Sequence, residues 1–170
     1  LIAYELATGD IHVFHAKAIV FATGGSGRMY KTTSNAHTLT GDGLGIIFRK
    51  GLPLEDMEFH QFHPTGLAGL GILISEAVRG EGGRLLNPRT GHRFMPDIDP
   101  RAELAPRDVV ARAVHRARIE GRGAFLDARR AVGREFPQAF PAVFAACMRS
   151  GLDPRVSPIP VMAACHYHMG

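Results

Sequence analysis

The sequence has no tryptophan, three tyrosines and two cysteines among its 170 residues. Cys147 and Cys165 lie in unrelated contexts, so they form neither the closely spaced pairs of a zinc site nor the dense set of a disulfide scaffold. No apolar run approaches the roughly 20 residues that a membrane-spanning helix needs, and no secretory leader is visible. We therefore expect a soluble protein in a reducing, cytoplasmic compartment, without a membrane partner.

Lysine is also scarce, because Lys17, Lys31 and Lys50 are the only three and arginine supplies almost all of the net charge of +4. Arginine suits planar, two-point recognition of carboxylate or phosphate groups. The basic residues alternate with acids, and few aromatic rings are available to stack on bases, so nucleic acid is not an expected partner. The hydrophobic content of 45% indicates a globular chain, long enough for one domain or for one domain with parts of another.

Residues 104–117 predict an amphipathic helix with a cation in its first turn. Pro106 suits the first helical position, and one apolar face is formed by Val109, Val110, Ala113, Val114 and Ala117. The positions expected to point away from it are Asp108, Ala111 and His115. Arg107 lies at the positive end of the helix dipole, where a cation is mildly unfavourable. It is either held there for a ligand, or solvated, or paired with Asp108 or Glu103.

The first third of the chain predicts a hairpin, a buried strand and a short helix. Residues 1–15 form the hairpin, and the apolar run 18–22 is typical of a strand buried on both faces. Gly24 and Gly25 let the chain turn tightly after it, although they do not complete a dinucleotide-binding fingerprint. Asp42 is expected either to cap the following helix or to accept hydrogen bonds from a ligand hydroxyl.

The remaining elements place polar residues at the ends of strands. Residues 57–66 predict a strand that ends in a turn at positions 63–66, and Ser75 and Glu76 enter a charged, glycine-rich segment. Residues 124–127 predict a short strand, 136–148 a helix, and 161–170 a strand that enters a turn. Strand ends are well placed to face a binding site.

Nine histidines also raise the hypothesis of a metal-binding module without enzymatic activity. His166 and His168 are two apart and share a face of an extended strand, whereas His60 and His63 are three apart and do not. Isolated histidines in strands more commonly have structural roles, so we predict no metal site.

The order of the motifs resembles one flavoprotein superfamily. ATGGSGRMY, TGDG, QFHPTG, ISEAVRGEGG, RFMP, ELAPRDVVARAV and PIPVMAACHYHMG follow one another as in the flavoprotein subunits of succinate dehydrogenase and fumarate reductase and, closer still, in the L-aspartate oxidases. The resemblance extends from about Ala16 to Gly170. It implies an α+β capping domain (68–157) flanked by partial segments of an α/β, Rossmann-like FAD-binding domain (1–67 and 158–170).

The resemblance also implies roles for individual residues. Arg107 would lie beside the flavin and substrate as the catalytic residue in proton transfer, although free arginine, with a pKa above 12, is a poor base and its simpler role is electrostatic. The residues implied to bind substrate carboxylates are His63, Thr65, Ser75, Glu76 and His166. Those implied to contact FAD are Thr23, Gly24, Gly25 and Asp42.

The function implied by the resemblance is FAD-dependent oxidation of L-aspartate to iminoaspartate, at the start of quinolinate and NAD biosynthesis, with oxygen or fumarate as acceptor. A succinate dehydrogenase or fumarate reductase flavoprotein is the alternative. Because further FAD contacts and a second substrate arginine of the family have no counterpart in these 170 residues, we expect this stretch by itself to bind no FAD and to be inactive.

Overall fold

The computed structural model describes residues 1–170. It contains two antiparallel sheets and five α-helices. The strands are β1 (Ile2–Tyr4), β2 (Ile11–Val13), β3 (His60–Leu67), β4 (Arg84–Leu86), β5 (Phe125–Asp127) and β6 (Ile159–His168). The helices are α1 (Asp42–Arg49), α2 (Glu76–Gly80), α3 (Arg107–Ile119), α4 (Phe136–Ala139) and α5 (Pro141–Arg149). None of these helices has the length and apolar character needed to cross a lipid bilayer.

The larger sheet has the strand order β3-β6-β5-β4, and its longest strand is β6. The first residues of β6 pair with β5, and the remainder pairs with β3, so that His60 lies opposite His168 and His63 opposite Ala164. Helix α3 packs against β3 and β6. The sheet therefore joins the C-terminal strand to strands from three earlier parts of the chain.

The hydrophobic core lies between this sheet and the helices. Val110 and Val114 of α3 are fully buried against it, as are Leu85 and Leu126 of the β4–β5 pair. Ala111, expected to point away from the helix core face, is only 5% exposed. That expectation was wrong, because α3 is covered on more of its circumference than one apolar stripe.

The core includes residues from both sides of the predicted domain boundaries. Leu67, Ile159 and Val161 are buried in the same cluster as side chains of α3 and α5. The division at 67 and 157, and the description of 68–157 as a capping domain, remain predictions. The apolar contact across these boundaries is a constraint on any movement between the segments.

The predicted hairpin is confirmed, since β1 and β2 pair in antiparallel register. The buried strand predicted at 18–22 is wrong, because this segment forms no strand and Val20 is 87% exposed. An apolar run becomes a buried strand only when neighbouring strands and helices cover it, and no element of the described chain pairs with this one.

Two proline-containing segments differ from their predicted form. The expected turn at 63–66 lies inside β3, where the pairing with β6 shifts register between His63 and Gly66. Such an irregularity accommodates Pro64, which has no N–H to donate to the ladder. The helix predicted at 136–148 is broken at Phe140, whose backbone is not helical, because the following Pro141 disfavours helical geometry there.

Candidate active site

Arg107 is the first residue of α3, with Pro106 at the N-cap position. Its Nε donates a hydrogen bond of 2.7 Å to Glu76 Oε2, and its NH1 donates one of 3.0 Å to Gln61 Oε1. NH2 also lies 2.7 Å from Glu76 Oε2. The alternatives of a solvated Arg107, or one paired with Asp108 or Glu103, are therefore wrong. These three contacts, to two partners, fix the plane of the guanidinium.

Glu76 lies between two guanidiniums at the start of α2. Besides Arg107, its Oε1 is 3.6 Å from Arg79 NH2, one helical turn later. Burial alone would raise the pKa of Glu76, but the hydrogen bond from Arg107 and the charges of both arginines lower it overall. Glu76 is therefore an ionised carboxylate that orients Arg107.

Arg79 is a buried cation, only 1% exposed. Its NH1 donates to the backbone carbonyl of Glu103, whereas Nε and NH2 have no hydrogen-bond partner. Burial is the main cause of its lowered pKa, which the charge of Glu76 opposes. Burying a guanidinium with unsatisfied donors is costly, and the charge of Glu76, whose Oε1 lies 3.6 Å from NH2, offsets part of this cost.

His63 is a neutral histidine inside the sheet, with an exposed fraction of 3%. Burial is the main cause that lowers its pKa to about 4, followed by the charges of Arg107 and Arg79, while Glu76 acts in the opposite direction. The backbone N–H of Thr65 donates to His63 Nδ1 at 3.3 Å. Because Nδ1 is an acceptor, the proton of the neutral ring lies on Nε2, which can donate to an anion.

His166 stands beside His63 on the neighbouring strand, with the ring centroids 5.6 Å apart in an edge-to-face arrangement. Its Nδ1 lies 2.8 Å from Ser34 Oγ, which fixes the ring. Burial and then the charge of Arg107 lower its pKa. A cleft of about 550 Å³ opens next to it, lined also by Ser34, Asn35 and Arg28. This cleft gives a small molecule access to His166.

Two residues implied to bind substrate have polar atoms that are already engaged. The hydroxyl of Thr65, which is fully buried, donates to the carbonyl of Ile74 at 3.0 Å. Ser75 caps α2, and its Oγ accepts a hydrogen bond of 3.2 Å from the N–H of Ala77. Both side chains therefore shape the segment that carries Glu76.

The residues implied to contact FAD are gathered by close packing of the glycine turn against α1. A Cβ on Gly43 would lie 1.8 Å from Thr23 Oγ1, and one on Gly24, whose φ is +73°, would lie 2.6 Å from Leu39. A Cβ on Gly25 would lie 3.1 Å from His168 Cβ. The glycines thus permit contact with α1 and with the end of β6.

Asp42 does not cap α1, because the N-cap is Gly41 in a left-handed conformation. One carboxylate oxygen of Asp42 accepts from the Thr40 hydroxyl at 2.8 Å, and its side chain is otherwise exposed. The buried hydroxyl of Ser26, in the adjacent turn, has no partner. An open carboxylate and an unsatisfied hydroxyl beside a glycine turn fit the hydroxyl and phosphate groups of a dinucleotide.

A second histidine pair lies at the end of the β3–β6 ladder. The rings of His60 and His168 stack with centroids 4.3 Å apart, and both Nε2 atoms are buried without a partner. Burial and the charge of His168 lower the pKa of His60. The pair expected to share a face, His166 and His168, therefore has separate partners.

The group of three potential metal ligands in the structure is exposed and lies on the hairpin. It consists of Glu5, Asp10 and His12. Exposed carboxylates of this kind are common without a metal, and no second observation supports a site there.

Sequence reasoning missed Gln61 and Arg79. Gln61 is two residues before His63 and thus shares its face of β3, and Arg79 follows Glu76 by three residues and thus shares its face of α2. Both spacings can be read from the sequence. Their significance cannot, because it depends on how closely α3 approaches β3 and α2.

The chain belongs to a family described as "FAD binding domain", whose family model matches residues 1–170. FAD is therefore its cofactor, and the open polar groups of the glycine turn are compatible with it. The proteins similar to it are flavin-dependent oxidoreductases, so the resemblance to this superfamily is confirmed.

Two curated relatives show the range of the similarity. The chain is 50% identical over 165 residues to the L-aspartate oxidase of Caulobacter vibrioides (strain ATCC 19089 / CIP 103742 / CB 15), covering 95% of this chain and 32% of that protein. It is 42% identical over 179 residues to the succinate dehydrogenase flavoprotein subunit of Coxiella burnetii (strain RSA 493 / Nine Mile phase I), covering 100% of this chain and 30% of that protein. The chain thus spans about a third of the length of these relatives.

A solved structure described as quinol-fumarate reductase with menaquinol molecules has the same fold. It superposes with a TM-score of 0.89 at 36% identity, covering 99% of this chain and 33% of that one. The mixed α/β arrangement of β3, β6 and α3 is therefore that of a flavoprotein of this superfamily.

Proposed function

We propose that the chain contributes to the active site of an FAD-dependent enzyme that oxidises L-aspartate to iminoaspartate, with oxygen or fumarate as electron acceptor. The observation that carries the proposal is the convergence of Arg107, His63 and His166, which brings one fixed guanidinium and two imidazoles of lowered pKa to one place. These groups suit a small dicarboxylate, because each can donate to an oxygen anion. The 50% identity to an L-aspartate oxidase supports the choice of substrate.

The two histidines would bind and orient the substrate. A neutral His63 donates through Nε2, and His166 is held by Ser34 at the wall of the open cleft. A neutral imidazole keeps one N–H group, which can donate a hydrogen bond to a carboxylate oxygen of the substrate. We therefore assign substrate positioning to both residues.

Arg107 would stabilise negative charge and fix the substrate for the reaction. Bound FAD supplies the redox chemistry by accepting the hydride that leaves the substrate carbon. The ammonium group of L-aspartate must also lose a proton in this oxidation, and we assign the transfer of that proton to the Arg107–Glu76 pair. Its planar two-point geometry is imposed by Glu76 and Gln61.

Glu76 would act on Arg107 and not on a substrate carboxylate. As an ionised carboxylate it has only acceptors, and two carboxylates repel one another. The contacts of 2.7 Å to Arg107 and 3.6 Å to Arg79 form a continuous set of ionisable groups. Arg107, a guanidinium cation, can accept a proton only as it releases one of its own, and Glu76 Oε2, 2.7 Å from its Nε, is the acceptor for the released proton.

We place the substrate at the junction between residues 68–157 and the two segments on either side of them, 1–67 and 158–170. Arg107 and Glu76 belong to 68–157, whereas His63 and His166 belong to the flanking strands. Approach of these segments would exclude water, and exclusion of water strengthens the charge interactions. This arrangement agrees with a capping role for 68–157.

The experiment is to measure steady-state turnover of the full-length, FAD-loaded protein that contains these 170 residues, with L-aspartate and with succinate, each with oxygen and with fumarate or a quinone as acceptor. We expect turnover of L-aspartate with formation of iminoaspartate. Glu76→Gln keeps the size of the side chain but removes its charge, and should lower kcat more than it changes KM.

The second candidate is a succinate dehydrogenase or fumarate reductase flavoprotein, favoured by the 42% identical relative and by the TM-score of 0.89. Turnover of succinate, with none of L-aspartate, would establish this candidate and refute the first. Absence of turnover with both dicarboxylates would refute the two together.

A further inference from the structure

A second concave site, here named the arginine cleft, lies on the outer face of the β4–β5 pair. It has a volume of about 550 Å³ and is lined by Arg84, Arg93, Arg129 and Arg130, with Glu81 and Asp127. The strand order places β4 at the opposite edge of the sheet from β3, which carries His63. None of the residues discussed for the candidate active site lines this cleft.

Strand alternation explains why the charges gather on this face. Leu85 and Leu126 are fully buried in the core, so their neighbours Arg84 and Asp127, which lie opposite each other in the ladder, point to the other face. Arg93 joins them because it forms a bridge with Leu86. The sheet thus presents three charged side chains to one concave surface.

Two of the four arginines are fixed by carboxylates. Arg129 donates to both oxygens of Asp127, at 2.9 and 2.8 Å. Arg93 donates through Nε and NH2 to the buried Glu103, at 3.0 and 2.6 Å. In each arginine NH1 makes no hydrogen bond within the chain. Both guanidiniums are therefore held in place with a donor group to spare.

The other two arginines have no carboxylate partner. Arg84 and Arg130 make no side-chain hydrogen bond or ion pair, and both are exposed. Arg130 is near enough to contribute, after the dominant hydrogen bond from Arg129, to the lowered pKa of Asp127. The ion pairs of Arg129 with Asp127 and of Arg93 with Glu103 are each neutral overall. The remaining charges in the cleft are the two free cations and one free carboxylate, Glu81, so its net charge is positive and attracts anions.

We propose that the arginine cleft binds a compact small-molecule polyanion, a phosphorylated or polycarboxylic metabolite. Two fixed and two free guanidiniums supply the planar donors that bind phosphate and carboxylate oxygens bidentately. A volume of about 550 Å³ is that of a small-molecule site. Only two of the ten lining residues are hydrophobic, and none is aromatic, so the cleft offers nothing for a base or an acyl chain to pack on.

The test is isothermal titration of the full-length, FAD-loaded protein that contains these residues, with inorganic pyrophosphate and, separately, with citrate, at an ionic strength held constant with potassium chloride. The variant is Arg84→Gln/Arg130→Gln, which removes the two free cations. Its matched control is Arg116→Gln/Arg118→Gln, which removes two exposed, unpaired arginines of α3. All four side chains are free of ion pairs, so we expect both double variants to fold, which an unchanged flavin spectrum would verify.

We expect saturable binding of at least one probe to the parent protein and to the control, weakened at least about 10-fold in Arg84→Gln/Arg130→Gln, as the loss of one or two charge-assisted contacts implies. Binding of pyrophosphate alone identifies a phosphorylated ligand, and binding of citrate alone a polycarboxylate. The proposal is overturned if neither probe binds saturably, or if both double variants bind equally well. Neither outcome depends on turnover of L-aspartate.

Discussion

Replacement of Arg107 by lysine tests the chemical core of the proposed mechanism. Arg107 uses Nε and NH2 on one oxygen of Glu76, both at 2.7 Å, and NH1 on Gln61 at 3.0 Å. A lysine ammonium keeps the positive charge but is a single point on a flexible stem, so it cannot reproduce three contacts in one plane. The positive charge is therefore kept, but the fixed orientation of its hydrogen-bond donors is lost.

The expected loss follows from the contacts. One oriented electrostatic contact to the reacting group is typically worth about 100- to 1000-fold in rate, and loss of a positioned proton-transfer partner costs about 100-fold or more. We expect kcat of Arg107→Lys to fall by at least about 1000-fold. The flavin absorption spectrum and the unfolding temperature should change little, because the side chain is about one-third exposed.

The assay is steady-state oxidation of L-aspartate by the full-length, FAD-loaded protein, with kcat and KM determined separately over a range of pH. Arg112→Lys is the matched control, since Arg112 lies on the same helix and pairs with Asp108 at the surface. It should have parental kinetics. A raised KM with an almost unchanged kcat in Arg107→Lys would refute the reasoning, because Arg107 would then only bind substrate.

Three further predictions concern binding and stability. His63→Ala and His166→Ala should act mainly through KM, because their proposed partners are carboxylates present in both the ground and transition states; a loss confined to kcat would contradict this. The pKa of His63 falls from 6.5 to about 4 on folding, so the unfolded state binds the extra proton between these values and stability decreases as the pH falls through this window. Urea unfolding should show about 2 kcal/mol of this loss between pH 7 and 5, absent in His63→Gln, and an unaltered pH dependence in the variant would be evidence against it. Glu103→Ala removes the buried partner of Arg93 and of the Leu85 N–H and should lower the free energy of unfolding by about 3 kcal/mol, whereas Asp97→Ala, at an exposed pair with His92, should cost less than about 1 kcal/mol. Equal effects of the two would show that burial of Glu103 contributes nothing.

A last prediction concerns the cofactor. Residues 1–170 by themselves should show no flavin absorption band after purification, because the glycine turn and Asp42 supply only some of the polar groups that FAD requires. Retention of stoichiometric flavin through dialysis would contradict this expectation.

The sequence by itself determined the elements whose information is local. The period of the apolar residues predicted α3, the alternation and turn residues predicted β1 and β2, and the order of motifs identified the FAD-binding family. It also selected Arg107, because an arginine at the positive end of a helix does not stabilise that helix. Each of these conclusions requires only neighbours in the chain.

Only the tertiary structure decided the partners of these residues. Arg107 makes hydrogen bonds to Gln61, 46 positions earlier in the chain, and to Glu76, 31 positions earlier. No local pattern specifies such contacts. The apolar segment at 18–22 illustrates the same limit, since hydrophobicity states what a segment can bury and not what will cover it. The arginine cleft has the same origin: strand pairing sets Arg84 opposite Asp127, and the buried Glu103 holds Arg93 beside them. Long-range packing converts residues that are unremarkable in sequence into a charged concave surface.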